Sequence, residues 1–409
     1  MARILTPQDA HQIMNALVQQ ATGQSALAVT DTSSFVSAGE TVLATGVENT
    51  LNALSLVLLR TMIAVRPYQA KFANINNLNT GVYAHRLRKI SYLSDPALPA
   101  GDWNTQLNTN LEEGFDNGRN GTSSTASMWE QHPATPLEMN FAGSSVWQDA
   151  ITRYEYQVKQ AFRDEGTFNE FVAGFMTEKG NAIERQKEAF SRMIVLNFMA
   201  GLFDLGGDRA VNLTAAFKAE FGGTATTQQL LTTRFTEFLE FLVSTIQIYS
   251  DRMTHSTTSY HWSPTRSDGK VLLRHTPKDR QKLMLYNPLM INARARVLPA
   301  IFNDDYLKIE NYEGVDYWQS FQTPAAINIK PAVIGTNGVQ ISSRDAINLT
   351  NVVGLLFDED ALMVDFQLDA AAATPLEARK HYSTVWYSMA RNAINDFSEN
   401  AILFYMADE

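Results

Sequence analysis

The chain contains no cysteine. That excludes disulfides, thiolate metal sites and cysteine nucleophiles, and it suits a reducing cytoplasm. Positive charge is also scarce: 33 Lys and Arg stand against 43 Asp and Glu, a formal net charge of −10. Affinity for a phosphate backbone comes chiefly from Lys and Arg, so a chain whose main work is gripping nucleic acid is disfavoured, while residence beside DNA is not. No apolar run is long enough for a membrane span. The nearest candidate, 51–65, is interrupted by Asn52, Ser55, Arg60 and Thr61 and falls short of the ~20 residues a bilayer needs. The opening MARILTPQDAHQIMNALVQQATG has no continuous apolar stretch behind a basic lead, so no secretory signal is expected. Without secretion, the Asn-x-Ser/Thr triplets at Asn120, Asn212 and Asn348 have no meaning as glycosylation sites.

Motifs of strong chemistry are missing as well. Neither GLFDLGGDR nor GTNGVQIS ends in the Gly-Lys-Ser/Thr of a phosphate loop, and no HExxH, EF-hand loop or Gly-x-Ser-x-Gly elbow occurs. No fixed-period repeat is found. Catalytic, cofactor-binding and metal residues are therefore all expected to be none.

What is present is an ordinary folded composition, 409 residues with 45% hydrophobic and 19% charged, enough for two or three domains. Its strongest period lies in Thr167–Leu205. Phe168, Phe171, Val172, Phe175, Met176, Ala182, Ile183, Ala189, Phe190, Met193, Ile194, Phe198, Leu202 and Leu205 follow the three-and-four spacing of one helical face. Glu170, Glu178, Asn181, Glu184, Arg185, Lys187, Glu188 and Arg192 mark the other, with Glu188 and Arg192 a favourable i,i+4 pair. Gly166–Thr167 open the run and Gly206–Gly207 close it, giving one helix of roughly 50 Å or more, or two joined near Gly180. Such a helix needs a long partner surface.

Along the chain, Thr6–Gln20 predicts a short amphipathic helix in an arm that only another surface would order. Leu51, Leu54, Leu58 and Met62 share a helical face that Pro67 ends. From Ser91 to Ser145 the chain is rich in Asn, Gly, Thr, Ser and Pro, yet carries Trp103, Trp129 and Trp147. Disordered linkers seldom hold such aromatics, so the segment reads as a projecting loop, with a β-hairpin as one form of it, that orders on a partner. Thr152–Phe162 predicts a strand, Asn212–Glu220 a helix, and Thr227 to about Met253 a second long helix. Lys270–Leu273 and Lys282–Tyr286 suggest strands, and NPLMINARARVLPAIF a helix. Turns are expected at Glu313–Gly314 and Asn337–Gly338. VVGLLFDEDALMVDF and HYSTVWYSMARNAINDFSENAILFYM close the chain, with an alanine-rich polar connection between them.

Three clusters could carry chemistry. Asp251, His255, His261, Asp268, His275 and Asp279 could assemble a metal-dependent hydrolytic site, but their spacing fits no recurring metal geometry, and turn residues explain them equally well. Asp358, Glu359 and Asp360 could hold a hard cation, although a turn after a buried strand accounts for them. Arg86, Arg88 and Lys89 beside Tyr83 and Tyr92, with Arg294 and Arg296, are small basic groups more simply read as ion-pair partners.

The order of parts resembles the major capsid protein family of tailed bacteriophages, the Hong Kong 97-type fold. The resemblance rests on the N-terminal arm, the long loop at about Ile90–Ala150, TRYEYQV running into the spine-like helix, LMLYNPLMINARARV, and the closing VVGLLFDEDALMV and WYSMARNAINDFSENAILFYM. It implies an α+β fold divided as arm 1–34, start of a peripheral domain 35–89, extended loop 90–150, peripheral domain with spine helix 151–207, axial domain 208–345 and closing peripheral segment 346–409. It implies a structural protein, not an enzyme, without cofactor. Copies would form hexamers and pentamers of an icosahedral shell around double-stranded DNA. The implied partners are a separate scaffolding protein, a portal protein, possible decoration proteins and DNA by non-specific proximity, with no membrane. Assembly would take place in the host bacterial cytoplasm. Lysine is absent between Lys89 and Lys159, so the lysine–asparagine weld of some relatives is not expected. An encapsulin-like cargo shell is the alternative within the same fold.

Overall fold

The computed structural model describes residues 7–22, 32–44, 75–78, 86–94, 134–143, 145–154, 165–264, 266, 270–296, 312–335, 340–341 and 344–408. The expected helix at 51–65, Trp103, Trp129, the strand end beyond Tyr154 and the turn at Asn337–Gly338 lie outside these residues.

The chain opens with helices α1 (Pro7–Thr22) and α2 (Thr32–Ala44). Met14 and Leu17 of α1 are buried, as are Phe35, Ala38 and Val42 of α2, and α1 packs on both α2 and the long helix. The arm is thus ordered by its own chain, because its apolar stripe finds a partner within the fold.

The long helix, α3, runs unbroken over Glu165–Leu205, 41 residues, without interruption near Gly180. Its stop is stereochemical. Gly206 (φ 62°) donates to the carbonyls of Leu202 and Phe203 at 3.0 and 3.1 Å, and Gly207 follows at φ 66°, a region L-side chains avoid. Burial departs from a single stripe. Ile194–Leu196 and Phe198–Leu202 are all buried, whereas Ala189 and Met193, assigned to the apolar face, are exposed. Glu188 and Arg192, assigned to the polar face, are buried. Their ion pair is 2.8 Å long, and Arg192 also donates to the carbonyls of Tyr317 and Trp318. A loop covers α3 there, so the helix is enclosed from more than one side.

A five-stranded sheet has the order β5 (Ala210–Asn212), β15 (Ala401–Met406), β12 (Asn351–Asp358), β6 (Gln281–Tyr286), β7 (Tyr312–Val315). On one face Leu283, Leu285, Leu356, Ile402 and Phe404 pack with helices α4 (Leu213–Phe221), α6 (Phe235–Met253) and α7 (Asn287–Arg296). On the other, Met284, Leu355, Phe357 and Leu403 pack with Phe190, Ile194, Phe198 and Leu202 of α3. Burial on both faces explains why VVGLLF and AILF are continuous rather than alternating apolar runs. A four-stranded sheet, ordered β1 (Asn76–Leu78), β13 (Leu362–Ala373), β14 (Tyr382–Asn395), β4 (Ser145–Tyr154), lies beside α3.

Strands β2 (Arg86–Leu93) and β3 (Thr135–Ala142) form an antiparallel ribbon, with Arg86 opposite Ala142 and Leu93 opposite Thr135. The ribbon flanks residues 95–133, the greater part of the segment expected to project, which lie outside the described residues. Smaller pairs join β8 (Ile327–Ile329) to β11 (Ile347–Leu349) and β9 (Val333–Ile334) to β10 (Gln340–Ile341), the latter bracketing the expected Asn-Gly turn.

Four local expectations are overturned. The helix from Thr227 is two, α5 (Thr227–Leu231) and α6, because Thr232 and Thr233 turn their hydroxyls onto the carbonyls of Gln228 and Gln229 and Arg234 closes the turn. Lys270–Leu273 makes only the single bridge Ser94–Val271. Glu313–Gly314 is strand, paired in parallel with Met284 and Leu285. The alanine-rich connection is largely the end of β13, where Ala370–Ala373 pair with Val385–Ser388 of β14.

Candidate functional site

The hydrolytic candidate does not assemble. Asp251 is exposed and paired with Lys278 at 2.7 Å, which holds its carboxyl below the usual range. His255, His275 and Asp279 are exposed, and Asp268 lies outside the described residues. His261 is buried and bonded elsewhere. Among the described residues no group of three metal-ligating side chains occurs. The acidic turn is a structural corner: Asp358 accepts from Thr276 Oγ1 at 2.8 Å, while Glu359 and Asp360 hold Arg280. Of the basic groups, Arg88 pairs with Glu138 at 2.7 Å, and Lys89 is taken up as described below. Arg86 lies on β2 and Arg294 and Arg296 on α7, their side chains outside the described set.

The structure instead brings together a buried polar junction centred on Asp396–Asn400, the turn between β14 and β15. Lys89 reaches in from the ribbon and pairs with both Asp396 and Glu399. Arg274 donates to Ser91 Oγ at 2.6 Å and to the Ser398 carbonyl at 3.2 Å, and lies 3.4 Å from Glu399. Asp396 also accepts from the amide and hydroxyl of Ser398 at 2.9 and 2.6 Å. Trp262 donates its amide to the Phe397 carbonyl at 2.7 Å, and the Phe397 ring stacks on Phe198 of α3 with centroids 5.0 Å apart. One five-residue turn thus fixes the ribbon, the segment after α6, the spine helix and both large sheets.

Its electrostatics follow from burial. Burial alone would lower the Lys89 ammonium, but Asp396 and Glu399 outweigh it and raise the group. Burial pushes the Glu399 carboxyl up, against the opposing pull of Lys89 and Arg274. His261 is lowered, burial outweighing its hydrogen bonds to Leu272 and Asn400. Sequence reasoning missed this turn because DFSEN has the composition of an exposed loop. Its one signal is that five polar or aromatic residues separate two apolar strands with no glycine or proline.

Among the described residues, two of the surfaces with exposed apolar side chains lie on sheets. On the sheet β13–β14–β4, Trp147 points inward and meets Phe190 edge-on at 4.6 Å. It is an intramolecular contact, contrary to its assignment as a partner anchor. The opposite face carries Val146, Gln148, Ala150, Thr152 and Tyr154 of β4, with Thr384, Trp386 and Ser388 of β14 and Ala370 and Ala372 of β13 across from them. None is charged, and Trp386 is 43% and Val146 58% exposed. On the ribbon's outer face Ile90 and Tyr92 are exposed, beside Pro136. Among the described residues the arrangement offers contact surfaces on a rigid frame.

No curated protein matches the chain. Among solved structures, the capsid structure of Staphylococcus phage Andhra is similar at 9% identity, over 83% of this chain and 84% of that one, with a TM-score of 0.51, a likeness of fold. The asymmetric unit of the bacteriophage PhiM1 mature capsid is similar at 9% identity over 84% and 88%, TM-score 0.43. The family described as Phi29-like phage major capsid protein matches residues 146–405, which include α3, the five-stranded sheet up to Tyr405, strands β13 and β14, nearly all of β4, and the junction turn Asp396–Asn400. The chain belongs to the Phi29-like phage major capsid protein family.

Proposed function

We propose that this chain is the repeating tile of an icosahedral tailed-phage head, built on the Hong Kong 97-type fold, with copies arranged as hexamers and pentamers around packaged double-stranded DNA. The observation that carries this is the family match over residues 146–405. Membership of a capsid family gives the chain a structural role, self-association and a place in the virion capsid. The division into arm 1–34, peripheral segments 35–89, 151–207 and 346–409, extended loop 90–150 and axial domain 208–345 belongs to the same proposal. So do a separate scaffolding protein, a portal, decoration proteins and assembly in the host cytoplasm.

The uncharged outer face of β13–β14–β4 supports it. Copies of a chain with net charge −10 repel, and they meet at least cost where like charges are absent. An acidic wall also limits counterion-release binding to the genome it encloses. Co-expression with the scaffolding protein, followed by negative-stain electron microscopy, tests the reading. Rings or closed shells are expected; a stable monomer that takes up metal and loses an activity in His255→Ala would overturn it.

A further inference from the structure

His261 is fully buried between two oxygens. Nε2 lies 2.9 Å from the Leu272 carbonyl and Nδ1 lies 3.1 Å from Asn400 Oδ1. The Asn400 amide is oriented from its other side, where Nδ2 donates to Thr276 Oγ1 at 3.2 Å. Thr276 must accept there, since its only hydroxyl hydrogen goes to Asp358 Oδ2 at 2.8 Å. Asp358 accepts again, from the Asp360 amide at 3.0 Å. Carbonyl, carboxamide and carboxylate oxygens only accept, so the direction of every bond in this chain is fixed by the carboxylate at its end. A neutral imidazole has one N–H and satisfies one of its two neighbours; an imidazolium satisfies both.

We propose that His261 is a proton switch for the junction, its protonation setting the direction of the hydrogen-bond chain His261–Asn400–Thr276–Asp358. With the proton on Nδ1, the arrangement described above is complete. When that proton leaves to solvent, the Asn400 amide turns over and offers Nδ2 to the ring nitrogen and Oδ1 to Thr276. The hydroxyl hydrogen then swings from Asp358 to Asn400, and Asp358 Oδ2 loses its donor. Each oxygen and nitrogen except that one keeps a partner in both states.

The surrounding charges set the range. Burial opposes a positive ring most, Arg274 and Arg209 oppose it as well, and the hydrogen bonds to the Leu272 carbonyl and Asn400 favour it. Lys89, Asp396 and Glu399 form their own ion-pair group on the same turn. The segment's His275 is exposed. The transition therefore falls below the ordinary histidine value of 6.5. Because Asn400 sits in the turn that holds the ribbon and Asp358 begins the acidic corner, one proton acts on both ends of the junction.

The full-length chain, kept as free subunit and labelled with 13C and 15N in histidine rings and asparagine amides, tests this. The chain has seven histidines, so the His261 signal is found by its loss in His261→Asn. The expected result is a titration below 6.5 to a doubly protonated ring, with the Asn400 amide resonances moving at the same midpoint. Thr276→Val removes the hydroxyl that orients Asn400, freeing its nitrogen to face the ring, and lowers the ring's proton affinity about tenfold. Should that variant not fold, Asn400→Asp places a carboxylate against Nδ1 and raises the affinity at least about tenfold. An unchanged midpoint in the variant that folds, or Asn400 resonances indifferent to the ring's titration, overturns the proposal.

Discussion

Gly201 of α3 lies so close to Phe397 that a Cβ built on it would stand 2.4 Å from the ring's Cζ and 3.1 Å from Val333 Cγ1. The spine helix crosses the junction turn at this residue, and only hydrogen fits between them. Alanine gains roughly 1 kcal/mol of helix propensity over glycine. Forcing an overpacked core typically costs about 1–3 kcal/mol. The ring is stacked on Phe198 and has little room to yield, so Gly201→Ala is expected to lower stability, read as a reduced midpoint in thermal or urea unfolding of the subunit. An unchanged or raised midpoint would show that the turn gives way.

Lys89 offers a contrast between buried and exposed ion pairs. The Asp396 side chain is fully buried and the Glu399 side chain nearly so, and Lys89→Met leaves both carboxylates without their ammonium. Breaking such a buried pair costs about 3–5 kcal/mol, whereas the exposed Arg88–Glu138 pair is worth about 0–1 kcal/mol. Urea unfolding of Lys89→Met beside Arg88→Ala should show that difference, and equal effects would remove the junction's special standing.

The same group fixes a pH dependence. The Lys89 value is raised in the folded chain, so its stabilisation is fully present below 10.5 and fades as pH rises through the folded value. Glu399 is also raised, chiefly by burial, so the folded chain binds that proton more tightly than the unfolded one. Falling pH near and above 4.5 therefore adds stability through this group, and Glu399→Gln is expected to remove that rise from a series of unfolding curves across acid pH.

Trp147 and Trp386 should separate folding from assembly. Trp147 packs on Phe190 of the spine, and its replacement by alanine is expected to cost the subunit about 2 kcal/mol of stability. Trp386 stands in the uncharged sheet face. Trp386→Ala should leave unfolding nearly unchanged while reducing the yield of shells in light scattering and electron microscopy. Equal effects on both measurements would make Trp386 a folding residue.

Denaturing electrophoresis of mature shells should give the monomer band alone. The sequence has no lysine between Lys89 and Lys159, and Lys89 is committed to Asp396 and Glu399 at the hairpin root. A ladder of multiples would contradict this.

Where a residue's surroundings are close in sequence, the chain was legible. The period of Thr167–Leu205 gives α3 nearly to the residue, since a helix repeats its environment every few positions, and VVGLLF and AILF announce strands buried on both sides. Where the deciding partner is distant, pattern fails. Glu188 and Arg192 have the spacing of a solvated surface pair, and nothing nearby says that the carbonyls of Tyr317 and Trp318 will enclose them. DFSEN reads as a surface loop until Lys89 and Arg274 arrive from remote segments. His261 shows the same limit from the other direction. Grouped by sequence with other acids and histidines, it turns instead toward Leu272 and Asn400.

The pairing of Leu93 with Thr135 has an evolutionary reach of its own. The strand ends on either side of 95–133 meet there, and the frame they form is bolted to the body through Lys89, Ser91 and Arg274. A cassette of a different length or composition can be exchanged there while the frame keeps its register, because closing a longer loop costs only about 0.6 kcal/mol for each doubling of its length. Such a frame lets a lineage alter the sequence it brackets without redesigning how the rest of the chain folds.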